Sequence, residues 1–103
     1  MDINLVFEAE NEAQKEFVLF QNRPNPFSNQ TIINFYLPEN ALIDFEVTNV
    51  AGQSILTKNQ VFEKGINTIE ISNDDMPFEG VYFYKMRVDQ QIETRRIVKI
   101  LQN

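Results

Sequence analysis

From Phe17 onward the signals are those of short strands, several of them alternating apolar and polar side chains with a period of two. The pattern is cleanest over residues 43–48. There Ile43, Phe45 and Val47 share one face and Asp44, Glu46 and Thr48 the other, as in a strand with one wet side. Residues 81–88 form the longest β run, with Tyr82, Tyr84, Met86 and Val88 on one face. Val81 and Phe83 on the opposite face are apolar too, so the alternation leaves open which face packs inward. A strand apolar on both sides is buried on both or binds something. Shorter runs fall at residues 17–20, 31–37 and 67–71. Residues 54–62 read as one strand or a bulged pair, and residues 92–101 as a closing strand. Breakers separate the runs: Asn22-Arg23-Pro24-Asn25-Pro26, Pro38-Glu39-Asn40, a turn over residues 49–53 with Gly52 at a position open to positive φ, Lys64-Gly65, the polar loop of residues 72–77, and Asp89-Gln90-Gln91. About seven strands with turn signals every eight to twelve residues, and no helical stripe, predict an all-β fold. The expected architecture is an immunoglobulin-like antiparallel β-sandwich, with the hairpin of residues 80–101 its sturdiest element.

The N-terminal stretch behaves differently. Residues 3–7 are apolar and strand-like. Residues 8–16 carry Glu8, Glu10, Glu12 and Glu16 and no large apolar side chain. Without a stripe at helical spacing this reads as a solvated linker rather than a helix. The expected division is residues 1–16 as the end of an upstream region with its acidic linker, and residues 17–103 as the folded domain.

Composition narrows the function classes. With 9 basic and 15 acidic residues the net charge is −6, the wrong sign for a nucleic-acid binder. Histidine and cysteine are both absent. This removes catalytic Ser-His-Asp and Cys-His pairs, disulfides and thiolate or imidazole metal sites. Only three glycines occur, at Gly52, Gly65 and Gly80, which excludes a phosphate-cradling glycine loop. An enzyme is not expected, nor a cofactor or metal. No apolar run is long enough to span a membrane, and residues 1–5 lack the basic and apolar regions of a signal peptide. A cytosolic protein and a piece of a longer secreted chain both fit; the second is preferred, with Met1 as an added start.

Some residues carry two readings. Asn73, Asp74 and Asp75 offer hard oxygens for calcium but sit in a natural polar turn. Asn29-Gln30-Thr31 matches a glycosylation sequon and carries no weight in a bacterial chain. Lys85, Arg87, Arg95, Arg96 and Lys99, five of the nine basic residues, crowd the last hairpin. They either dress the solvent face and guard an edge or form a cationic patch for a receptor.

Three segments in order resemble the type A C-terminal sorting domain of the type IX secretion system. Gln21-Asn22-Arg23-Pro24-Asn25-Pro26-Phe27 looks like that family's opening "QNxPNPF" box. Val47-Thr48-Asn49-Val50-Ala51-Gly52-Gln53 stands where the family has "VYDxxGR". Met76-Pro77-Phe78-Glu79-Gly80-Val81-Tyr82-Phe83-Tyr84-Lys85-Met86 resembles "LPxGVYFYRL", and residues 94–100 resemble the terminal basic strand. The resemblance covers residues 17–101. The middle box departs from it: Thr48, Asn49 and Gln53 replace Tyr, Asp and Arg, which is expected to loosen that turn. Physically, Pro24 and Pro26 stiffen a corner that Phe27 can pin to the core, and Gly80 permits a tight start to a strand.

The resemblance implies a sorting label that directs an upstream cargo through the periplasm and the outer-membrane translocon to the cell surface. Shuttle and sortase proteins are the implied partners, and the sortase removes the label. Cleavage is expected among Glu8, Glu10, Glu12 and Glu16. Recognition is expected at Arg95, Arg96, Ile97, Val98, Lys99 and Ile100. Self-association through the last hairpin by strand addition is a further expectation. Rival readings are a passive spacer or carbohydrate-binding module of a surface protein and a hook-cap-like immunoglobulin domain.

Overall fold

A computed structural model describes residues 16–101. They form seven strands: β1 (Val18–Leu19), β2 (Gln30–Leu37), β3 (Ala41–Asn49), β4 (Ser54–Phe62), β5 (Gly65–Ser72), β6 (Gly80–Val88) and β7 (Gln91–Lys99). Every pairing is antiparallel, in a three-stranded sheet of order β1-β2-β5 and a four-stranded sheet of order β4-β3-β6-β7. Seven strands in two facing antiparallel sheets make the expected sandwich. Its order is that of an immunoglobulin-type fold in which the fourth strand pairs with the third.

The core lies between the sheets and is built by one face of each strand. β2 contributes Thr31, Ile33, Phe35 and Leu37, β3 contributes Ile43, Phe45 and Val47, and β5 contributes Ile69 and Ile71, all buried. For β6 the packing resolves what alternation left open. Tyr82, Tyr84, Met86 and Val88 face inward, and Val81 and Phe83 face solvent. The rings of Phe35 and Phe62 meet edge-on at 5.1 Å, a favoured quadrupolar arrangement. Residues 54–62 form one strand, and the irregularity falls at its start, where the register shifts between Val47 and Thr48.

Two connections depend on special backbone. Gly52 has φ +85° in the turn joining β3 to β4, and Gly80 has φ +146° where β6 begins. A side chain strains both conformations even though a Cβ would meet open space. Asp89 takes φ 55° in the two-residue turn between β6 and β7, a conformation Asp tolerates better than most residues.

Residues 1–15, with Glu8, Glu10 and Glu12 of the expected cleavage region, lie outside the described residues; Glu16 is exposed beside the buried Phe17. Among the described residues no helix is long and apolar enough to cross a membrane.

Candidate functional site

The proline box and the final strand, far apart in sequence, meet at one edge of the sandwich. The box leaves β1 and pairs briefly with β2: the Arg23 N–H donates to the Ile32 carbonyl at 2.9 Å, and the Ile32 N–H to the Arg23 carbonyl at 2.8 Å. Arg23-Pro24 and Asn25-Pro26 are both cis. Asn22 is 1% exposed; its Nδ2 donates to Thr31 Oγ1 at 2.9 Å and to the Pro24 carbonyl at 3.1 Å. Thr31 Oγ1 in turn donates to the Pro24 carbonyl at 2.9 Å. Pro24, Asn25 and Pro26 are exposed, while Phe27 is buried in the core.

From there the box covers the outer edge of β7. Gln21 Nε2 donates to the Arg96 carbonyl at 2.8 Å. The Val98 N–H donates to Asn25 Oδ1 at 2.9 Å. The Phe27 N–H donates to the Val98 carbonyl, and the Ile100 N–H to the Phe27 carbonyl, each at 2.9 Å. Unpaired edge groups invite strand addition, and here a neighbouring loop satisfies them from Arg96 to Ile100. For the expected self-association through this hairpin, the described residues leave open the stretch of β7 from Ile92 to Thr94.

Tyr84 anchors the same corner from within. Its Oη accepts from the Asn22 N–H at 2.8 Å and donates to the Phe20 carbonyl at 2.8 Å. Burial pushes the phenol up to about 12, against smaller opposing effects of the Asn22 backbone contact and Arg95. Gln21, Asn25 and Tyr84 stand in the boxes that the sequence marks, but the contacts of this hydroxyl and of the two amides were not foreseen there. The contact joins residues 62 positions apart, and nothing local marks it.

The expected recognition residues divide by face. Ile97 and Lys99 are buried, Lys99 at 3% exposed. Arg95 Nε donates to the Leu19 carbonyl at 2.9 Å, tying β7 to β1 of the other sheet. Arg96, Val98 and Ile100 point outward. Across the ladder Val98 pairs with Val81 and Arg96 with Phe83. Val81 and Phe83 are each 37% exposed and Ile100 46%. The result is a small apolar patch beside one guanidinium on the outer face of the four-stranded sheet.

The basic residues of the last hairpin neither share one solvent face nor form a continuous cationic patch. Lys85 Nζ lies 3.8 Å from Glu46, and Arg87 Nη2 lies 3.4 Å from Asp44, both on the outer face. Arg95 and Lys99 belong to the inner face. The sheet alternates, so neighbouring cations in sequence are sent to opposite sides.

Other expectations find their places. The middle turn is not loosened: Asn49 Oδ1 accepts from the N–H groups of Ala51 and Gln53, and Asn49 Nδ2 donates to Gln53 Oε1 at 2.8 Å. An amide pair spans the turn where the family places Asp and Arg. Asp75 Oδ2 accepts from the Ser72 N–H and Oγ, so this carboxylate caps its own turn. The Thr31 hydroxyl of the sequon is enclosed within the box. Pro77 is exposed after the buried Met76, and Phe78 is 76% exposed. Tyr82 and Tyr84 being buried, the exposed rings left for a glycan-stacking platform among the described residues are Phe20, Phe78 and Phe83, on an edge, a loop and the outer face.

A family model described as the secretion system C-terminal sorting domain matches residues 23–100. No curated protein matches the chain.

Proposed function

Because the chain belongs to the secretion system C-terminal sorting domain family, a sorting signal of type IX secretion, we propose that the machinery reads it through the outer-face patch of Val81, Phe83, Arg96, Val98 and Ile100. A sorting domain implies an upstream cargo and a secreted or cell-surface protein. In the proposed route the label guides that cargo from the periplasm through the outer-membrane translocon. Shuttle proteins engage the patch, and a sortase then cuts within residues 8–16 and anchors the cargo at the surface.

The observation that carries the reading is the division of labour in Val81-Tyr82-Phe83-Tyr84. Tyr82 and Tyr84 build the core, whereas Val81 and Phe83 are large apolar residues that the fold leaves wet. Apolar area exposed beside a cation is a common form of protein-binding surface.

The test fuses residues 2–103 to a neutral fluorescent protein behind a Sec signal, in a host with a working type IX system. Surface arrival and product size are measured for the parent and for Phe83→Glu and Val98→Glu. Both variants keep the buried face intact, and surface arrival should fall about tenfold, a loss of roughly 1.4 kcal/mol of recognition. Arrival at parental levels in both variants would refute recognition through this patch. Arrival at full length would refute the sortase step alone. Deleting residues 94–103 is a poor substitute, because it removes most of β7 and uncovers Tyr82 and Tyr84.

A further inference from the structure

The four-stranded sheet has two edges, and the chain treats them differently. Along β7 the outward backbone groups from Arg96 to Ile100 are capped by Gln21, Asn25 and Phe27. Along β4 the ladder to β3 uses Leu56, Lys58, Gln60 and Phe62, the partners of Val47, Phe45, Ile43 and Ala41. In an antiparallel pair the alternate residues turn their N–H and C=O away. Thr57, Asn59 and Val61 therefore present theirs outward, with no backbone partner among the described residues. The strand is long, from Ser54 to Phe62, and its register is regular from Leu56 to Phe62. It contains no proline, and most of its side chains are exposed on both faces.

We propose that this edge pairs with the same edge of a second copy of the chain, antiparallel about a two-fold axis at Asn59. In that register Leu56 of one copy lies opposite Phe62 of the other, and both side chains are already half-buried at the rim of the core. Thr57 lies opposite Val61, and Lys58 opposite Gln60. About six backbone hydrogen bonds form. Moving the axis to Lys58 would set two ammonium groups face to face, which cross-strand pairing disfavours. The chain as a whole carries −6, yet β4 holds Lys58 and no carboxylate, so the pairing sets no carboxylate of one β4 against one of the other. Closure follows from the other edge. With β7 capped over its terminal half, pairing at β4 is isologous and stops at a dimer instead of growing into a filament.

The experiment is sedimentation velocity on the full chain from about 10 μM to about 1 mM, where a reversible dimer is expected. Thr57→Pro removes an outward donor and no ladder bond and should raise the dissociation constant at least about tenfold. Thr94→Pro on β7 should leave it unchanged. The chain has no cysteine, so Asn59→Cys and Thr94→Cys each introduce a single thiol. Under mild oxidation the first should cross-link to a dimer well ahead of the second, and this comparison decides the matter if Thr57→Pro fails to fold. A chain that stays monomeric throughout the range would overturn the proposal. So would a dimer lost with Thr94→Pro and kept with Thr57→Pro, or equal cross-linking of the two thiols.

Discussion

Replacing Tyr84 by Phe removes one oxygen and keeps the ring that fills the centre of β6. The ring packs against Phe45 at 6.2 Å between centroids, so no large cavity opens. What is lost is the hydroxyl's two contacts, accepting from the Asn22 N–H and donating to the Phe20 carbonyl. Asn22 is enclosed, so its N–H is left without water or partner, whereas exposed Phe20 lets its carbonyl rehydrate. One buried donor left unsatisfied costs about 1–3 kcal/mol, which gives an expected loss of about 2 kcal/mol. A domain of this size holds roughly 5–10 kcal/mol in total, and the melting temperature should fall by about 10 °C. Urea unfolding at neutral pH measures the loss directly, with an unchanged slope showing that the same surface is exposed. Tyr82→Phe is the comparison. Its hydroxyl donates to the carbonyl of exposed Phe78 at 2.7 Å, which water can replace, so about 0.5–1 kcal/mol is expected. A loss for Tyr84→Phe no larger than for Tyr82→Phe would refute the reasoning. The alkaline limb offers a second check. The phenol is raised from 10.0 to about 12 in the fold, so its contribution is intact below pH 10 and lost as pH rises toward 12. In Tyr84→Phe that part of the decline should be missing.

Phe27→Ala removes a fully buried ring and should cost about 3–5 kcal/mol, enough to leave much of the domain unfolded by circular dichroism. Met76→Leu, at an equally buried position, conserves volume and should cost less than about 1.5 kcal/mol. The double change Asn49→Asp with Gln53→Arg replaces the amide pair across the middle turn by an ion pair. Stability at low salt should change by less than about 1 kcal/mol, and the difference from the parent should shift as salt screens the new pair; urea titrations of both chains at two ionic strengths check this.

Much of the fold was legible because strands in a two-layer sandwich write their burial as alternation. Ile43, Phe45 and Val47 could be assigned to one face from spacing alone, and the breakers placed every turn to within a few residues. Val81 to Val88 was the limit of that logic. With apolar residues on both faces, only the position of the second sheet shows that Tyr82 and Tyr84 are core and that Val81 and Phe83 are surface. The basic residues met a related limit. Counting charges in the last hairpin left open a dressed solvent face or a receptor patch, and the pleat divides them between faces, sending Arg96 out and Lys99 in. The middle turn was misjudged because substitution was read as loss, and Asn49 with Gln53 supplies a neutral pair of similar reach.

By itself the sequence determined the strands, their order along the chain, the turns and the kinship, because each is carried by residues within a few positions of one another. The tertiary structure decided which strand edges are closed and which are open. Gln21, Asn25 and Phe27 cap β7, Tyr84 holds Asn22, and β4 is left uncovered by the described residues. These facts join residues some 60 to 75 positions apart through single hydrogen bonds. A bond of that kind imposes no periodicity on the sequence, so it becomes visible only when the sheets have brought its donor and acceptor together.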